Sequence, residues 1–325
     1  MLLYETDLRH LRFIFEKMSK LVDWLLFLLL SIIWGSSFIL MKHSKEQLTA
    51  AQIAALRICS AGVILLPVAV FHLTKIPKRK VLLVILSGIT GNLLPAFFFA
   101  AAIAKNIDSS LASILNSLTP IFVVLIAVAA FRDKIKQHKI IGVLTGFVGL
   151  ILLFVSSTSI SFENFKYGLI ILLATVCYGI NVNMVSHFLK DINPLHIATI
   201  SLAFMTIPTA AILWQQNFLQ FALDESRVQW AVTEVIILGV IGSAFATAIF
   251  YILIKRAGGL FASLVTYAIP FVGIAWGIID GEQITVKQVG CMAIILFGVY
   301  LTNKPDKKEN KGEVKLADKF IEEAG

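Results

Sequence analysis

Long apolar runs separated by short polar breaks organise this chain. The clearest is residues 22–41, VDWLLFLLLSIIWGSSFILM, whose one charge, Asp23, sits at the start. About twenty helical residues, rising 1.5 Å each, cross a ~30 Å hydrocarbon layer. Near the far end, Trp34-Gly35-Ser36-Ser37 interrupts a pure Leu/Phe/Ile run. A lipid-facing surface has no use for such a patch, whereas a cavity wall or a close helix contact does. Similar runs follow at roughly 51–72, 81–104, 110–131, 138–156, 167–187, 196–214, 230–254, 260–279 and 288–302. All ten are read as helices, because lipid does not tolerate an open strand edge.

Composition supports that reading. The chain is 58% hydrophobic and 15% charged, with mean hydropathy +0.86. Soluble domains carry about 25% charged residues. The expected class is therefore an all-α membrane protein embedded in a lipid bilayer. The net charge of +8 comes from Lys and Arg scattered through loops and tail rather than gathered on one face, which speaks against nucleic acid as a partner. Cys59, Cys177 and Cys291 each fall within an apolar run without metal-ligand spacing, and read as small buried hydrophobes.

Residues 1–21 are mixed and charged and are expected to form a cytoplasmic segment, with a short surface helix as one form. Met18-Ser19-Lys20 would also make an ordinary start. No cleaved signal is read here, since the apolar stretch is too long and no A-x-A-like site follows. Residues 303–325 are Lys/Glu-rich and read as a disordered cytoplasmic tail. With the N-terminus inside, the cytoplasmic segments hold twenty-one Lys and Arg and the outer loops six. The positive-inside rule then places both termini in the cytoplasm, and the expected location is the inner membrane.

The chain is internally doubled. Lys105, Ala112-Ser113 and Pro120 match Lys255, Ala262-Ser263 and Pro270 at an offset of 150, and Trp34-Gly35 matches Tyr178-Gly179 at 144. Gly142 and Gly290 open the last span of each half. The halves are residues 22–157 and 158–302, each with five spans. An odd number makes the second copy enter the membrane from the opposite side. The expected fold is thus ten transmembrane helices in two inverted five-helix repeats, the architecture of secondary transporters.

WGSSFILMK in the first span, Asn116-x-x-x-Pro120, the Ala-Ser…Pro pattern at 262–270, and Gly281-Glu282 followed by Ile284 and Gly290 together resemble the EamA-type branch of the drug/metabolite transporter superfamily. The resemblance covers about residues 20–302. It implies ten helices, two five-helix repeats, and movement of small metabolites. It also implies that the first, third and fourth helices of each repeat surround a central cavity. The family often carries a glutamate where this chain has Arg132-Asp133, a position read as structural.

Polar side chains inside apolar spans ask for a cavity or a partner. The expected substrate-binding residues are Trp34, Ser36, Ser37, Asn92, Asn116, Tyr178, Asn181, Thr247, Tyr251 and Tyr267, with Thr119, Asn183, Ser243 and Thr266 as further candidates. For any single Ser or Thr the alternative is a bond to its own helix backbone. Pro120 and Pro270 suggest paired kinks. Arg57 is the clear charge within a span. Its side chain is expected to snorkel to the surface, with a buried counter-charge for an anionic substrate or an interhelical bond as the alternative. Gly142-x-x-x-Gly146 and Gly277-x-x-x-Gly281 suggest close helix approach within a monomer.

No span holds Asp or Glu near its middle, and neither G-x-x-x-x-G-K-[ST] nor H-E-x-x-H occurs. A built-in ATP motor and a metalloprotease are thus disfavoured, and no cofactor or metal is expected. The expected partner is a small-molecule substrate. The expected function is a secondary transporter moving a small organic metabolite, plausibly amino-acid-like, by alternating access, with export favoured by family likeness. Rivals are an uptake carrier for sugars or nucleosides, and an intramembrane enzyme or channel.

Overall fold

The computed structural model describes residues 2–105, 107, 109–156, 162–220, 225–279, 285–302 and 304. Asp108, the Asp280-Gly281-Glu282 motif with Ile284, and residues 305–325 lie outside them. The described residues are helical and contain no strand. In chain order the helices are α1 (Leu2–Ser44), α2 (Ala50–Leu73), α3 (Lys78–Gly88), α4 (Leu94–Ala104), α5 (Ser109–Asn116), α6 (Thr119–Phe131), α7 (Gln137–Ser156), α8 (Phe162–Phe188), α9 (Pro194–Gln215), α10 (Ser226–Gly239), α11 (Ala246–Ala257), α12 (Gly259–Ser263), α13 (Val265–Ile279) and α14 (Val286–Thr302). Among the described residues, seven helical stretches are long and apolar enough to cross a membrane, and Thr119–Phe131 and Val289–Thr302 are shorter apolar helices. Many of their large side chains point outward, Trp214 and Trp230 at 74% and 71% exposure, as expected where lipid replaces water. This is a multi-pass membrane protein.

Three local features depart from the sequence expectations. First, α1 runs unbroken from Leu2, so no separate surface helix precedes the first span; nothing before Gly35 is a helix breaker. Second, residues 110–131 are not one kinked helix. The chain breaks between α5 and α6, and Pro120 falls in the first turn of α6, where its missing N–H costs nothing. In the second half the break precedes Val265, while Pro270 stays inside α13. Third, α3 joins α4, and α10 joins α11, through π-helical turns, Ile89–Leu93 and Val240–Phe245. Such turns loosen the backbone ladder and are frequent at functional sites.

The packing repeats between the halves. Each π-turn is preceded by Gly and contains another, Gly88 and Gly91 against Gly239 and Gly242, at an offset of 151. Gly91 lies against Asn181 of α8, and Gly242 against Ser37 of α1; Ser37 and Asn181 are themselves 144 apart. Gly88 approaches the Ser201 carbonyl and Gly239 that of Arg57, again 144 apart. The helices α2 and α9 open on corresponding caps, Thr49 and Asn193, and pack along each other, as do α7 and α14. Where Gly298 of α14 meets α7, a Cβ would come 2.6 Å from the Gly142 carbonyl oxygen, so only a small residue permits this approach.

Contacts among helix residues and the connecting segments define two ends of the bundle. At one, Arg256 pairs with Asp23 at 2.5 Å, Lys80 with Asp191, and His187 with Asp133 at 3.0 Å. At the other, Ser44 donates to Glu234 at 3.1 Å, and Ile107 joins an apolar cluster with Leu48 and Phe218.

Candidate functional site

A narrow cavity lies between the halves, with about 60 Å³ of room for the centres of water molecules. Eight of the ten expected binding residues line it: Trp34, Ser37, Asn92, Asn116, Tyr178, Asn181, Thr247 and Tyr251. The candidates Thr119, Ser243 and Thr266 line it too. Its walls come in corresponding pairs. Trp34 and Tyr178, Ser37 and Asn181, Asn92 and Ser243, Phe99 and Phe250, and Asn116 and Thr266 each combine one residue from the first half with its counterpart in the second.

Two expected residues sit elsewhere. Ser36 points to α13, where its Oγ accepts from Trp276 Nε1 at 2.8 Å. The Tyr267 side chain is fully buried against Gly146, and its hydroxyl donates to the Val143 carbonyl at 2.9 Å. Both are polar side chains that already have a protein partner, and so need no cavity. Asn183 likewise ties α8 to α6 through the Val123 carbonyl at 3.0 Å.

The π-turns bring polar groups to the walls. Trp34 Nε1 donates to the carbonyl of Gly242, within the second π-turn, at 3.0 Å. Asn181 Nδ2 reaches the Ser87 carbonyl at 2.7 Å and the Tyr251 hydroxyl at 3.3 Å. Thr247 Oγ1 donates to Asn92 Oδ1 at 2.9 Å. Two buried atoms of the described lining residues have no partner: Asn92 Nδ2, a donor, and Asn116 Oδ1, an acceptor. Buried polar atoms are rarely left so unless water or a ligand meets them.

Arg57 is where sequence reasoning pointed the wrong way. It does not snorkel. It lines the cavity, and its Nε donates to Ser243 Oγ at 2.8 Å. Among the described lining residues it is the one charged side chain, and none is Asp or Glu. The aromatic walls, Phe38, Phe99 and Phe250, were also not foreseen; inside an apolar run a cavity-facing Phe looks like any other. Among the described residues no cluster of three or more His, Cys, Asp or Glu is placed to hold a metal ion.

The EamA-like transporter family matches the chain twice, over residues 23–155 and again over 166–304. The chain belongs to the EamA-like transporter family. Its duplication is thus a family property, and the paired walls of the cavity are contributed by two copies of one EamA unit. An uncharacterized transporter of Archaeoglobus fulgidus is 24% identical over 280 residues, covering 86% of this chain and 97% of the relative. The uncharacterized transporter YoaV of Bacillus subtilis is 23% identical over 278 residues, covering 83% and 93%. A crystal structure described only as that of a protein aligns with TM-score 0.63 at 16% identity, covering 86% of this chain and 96% of its own. At that identity the likeness speaks for the fold alone.

Proposed function

We propose that this EamA-type transporter is a secondary carrier with ten membrane crossings in two inverted five-helix repeats. It moves a small organic metabolite, amino-acid-like in size and polarity, by alternating access. The observation that carries this reading is the cavity wall, built from corresponding residues of both repeats. Two copies that share one site and can exchange conformations give two states open to opposite sides. The two ends of the bundle support inversion. Arg256, next to Lys255, pairs with Asp23 at one end, whereas Ile107, near Lys105, packs with Leu48 at the other. These contacts support the reading that loops corresponding in sequence lie at opposite ends. The basic loops gather at the first end, which supports cytoplasmic termini in an inner membrane. Export is favoured by the family likeness. The protein acts as a monomer, since each chain carries both halves of the site.

The test is flux through the purified protein in sealed vesicles loaded with a panel of amino acids and related metabolites. Saturable uptake accelerated by unlabelled solute on the far side is expected. Flux that stays linear with concentration and shows no such counterflow would mean a channel and overturn the carrier reading.

A further inference from the structure

We infer that the central cavity is a carboxylate site, and that Arg57 holds the carboxylate of the transported solute; this rests on the carrier reading above. The argument begins with cost. A charge inside the membrane is retained only where a partner or a function compensates for it. Arg57 Nε donates to a neutral hydroxyl, Ser243 Oγ. Among the described residues that line the cavity there is no acidic side chain to serve as its counter-ion. A guanidinium on a cavity wall matches a carboxylate, which accepts two parallel N–H bonds. Ser243 accepts from Arg57 and so keeps its own hydroxyl proton for the same anion.

The asymmetry of the site points the same way. Five pairs of lining residues correspond between the repeats. Arg57 corresponds to Ser201, whose hydroxyl is spent on the Ala198 carbonyl at 3.1 Å and which does not line the cavity. The positive charge therefore stands on one side of an otherwise matched chamber. A ligand with one anionic end fits that polarity. The rest of the chamber describes the other end. Asn92 Nδ2 and Asn116 Oδ1 offer one free donor and one free acceptor, and Trp34, Phe99 and Phe250 offer apolar faces. The ligand class is a small monocarboxylate with a hydroxyl or amino group and an apolar body. With one cation among the described lining residues, the site matches one carboxylate better than two.

The experiment compares acids with their uncharged amides on the full-length protein. The probes are L-leucine and L-leucinamide, and 2-hydroxyisocaproate and its amide, read by melting temperature in detergent and by counterflow in vesicles. The acids are expected to stabilise and to exchange at least tenfold better than the amides. Arg57→Lys should keep the preference for acids at roughly tenfold weaker apparent affinity, and Arg57→Met should abolish it. Because Arg57 has no acidic partner among the described lining residues, R57M is expected to melt, without ligand, no lower than the wild type. If R57M does not fold, the acid–amide comparison on the wild type and on Ser243→Ala decides. Equal response to acid and amide, or an acid preference that survives in R57M, overturns the proposal. Saturable exchange of solutes with no preference for acids overturns it and leaves the carrier reading standing. Stabilisation by acids without flux of any probe supports the site and counts against transport.

Discussion

Thr247 donates its hydroxyl proton to Asn92 Oδ1 at 2.9 Å, joining the two π-interrupted segments that occupy corresponding places in the two repeats. The bond orients the Asn92 amide so that Nδ2 has no partner. Thr247→Val keeps the shape and removes the donor, leaving Oδ1 buried and unpaired. Orphaning such a group costs about 1 to 3 kcal/mol, and helix–helix bonds in membranes fall at the lower end of what water-soluble proteins show. A drop of about 1 kcal/mol is expected in a denaturation series. Asn92→Leu combined with Thr247→Val should recover part of it, because no polar atom is then orphaned. Transport should fail in both variants. A double variant no more stable than the sum of the singles would mean that the bond carries no coupling.

The two π-turn glycines correspond in sequence but not in tolerance. A Cβ at Gly91 would come 2.7 Å from Asn181 Cγ, a side chain already held by Ser87 and Tyr251. At Gly242 the nearest atoms are Leu238 Cδ1 and Ser37 Oγ, both at 3.1 Å and both ends of side chains. Overpacking against a fixed neighbour costs about 1 to 3 kcal/mol, and a neighbour that can swing aside costs less. Gly91→Ala is expected to lower both melting temperature and flux, and Gly242→Ala to change either only slightly. Reversed sensitivities would show that Asn181, not Ser37, is free to move.

Much of this site was legible in the sequence because the two halves could be read against each other. Trp34 and Tyr178 each stand before a glycine after an apolar run, and the offset of 144 ties them together. The π-turns were not foreseen, since a single wide turn leaves no local composition. Their signal was nonetheless present: Gly88-x-x-Gly91-Asn92 repeats as Gly239-x-x-Gly242-Ser243 at an offset of 151. Arg57 misled for a physical reason. It is the eighth residue of α2, about 10 Å from the helix start, within reach of either the surface or the interior. Only the packing of α2 against α10 and the following π-turn, which brings Ser243 within 2.8 Å, decides the direction. Ser36 and Tyr267 look like lining residues because sequence shows that a polar group needs a partner, not which partner it has.

The contact between α7 and α14 leaves no slack. A Cβ on Gly298 would meet the Gly142 carbonyl oxygen at 2.6 Å and Gly146 Cα at 2.8 Å, both backbone atoms. A backbone cannot rotate out of the way as a side chain can, so Gly298→Ala must part the two helices. A fall of several degrees in melting temperature is expected, with the acid preference of the surviving protein unchanged because neither helix lines the cavity. Gly290→Ala is the control, since nothing lies within 4 Å of a Cβ there. Equal losses in the two variants would show that helix propensity, not close approach, is at issue.

Three ion pairs between the halves sit at one end of the bundle, Asp23–Arg256, Lys80–Asp191 and Asp133–His187. In the proposed alternating-access cycle the halves must part there when the site opens to that side, and these pairs would then hold the end closed. Their hold is pH-dependent through Asp191. Hydrogen bonding from Lys80 keeps that carboxyl below its usual range. A carboxylate whose folded value is depressed stabilises the closed arrangement at neutral pH, and the contribution disappears as the pH falls through that lowered value. Ser186, beside this end, and Met41, on the cavity wall one turn before Ser44 at the other end, serve as reporters. With Cys59, Cys177 and Cys291 replaced, Ser186→Cys and Met41→Cys are introduced singly and labelled with a membrane-impermeant thiol reagent. In the D23N/D133N/D191N background, labelling at position 186 is expected to rise several-fold and labelling at position 41 to fall. Acidification below about pH 4, the ordinary aspartate range, should move the wild type in the same direction. Labelling that rises at both ends together would mean loosening of the whole bundle rather than exchange between two states, and the ion pairs would then be structural clasps.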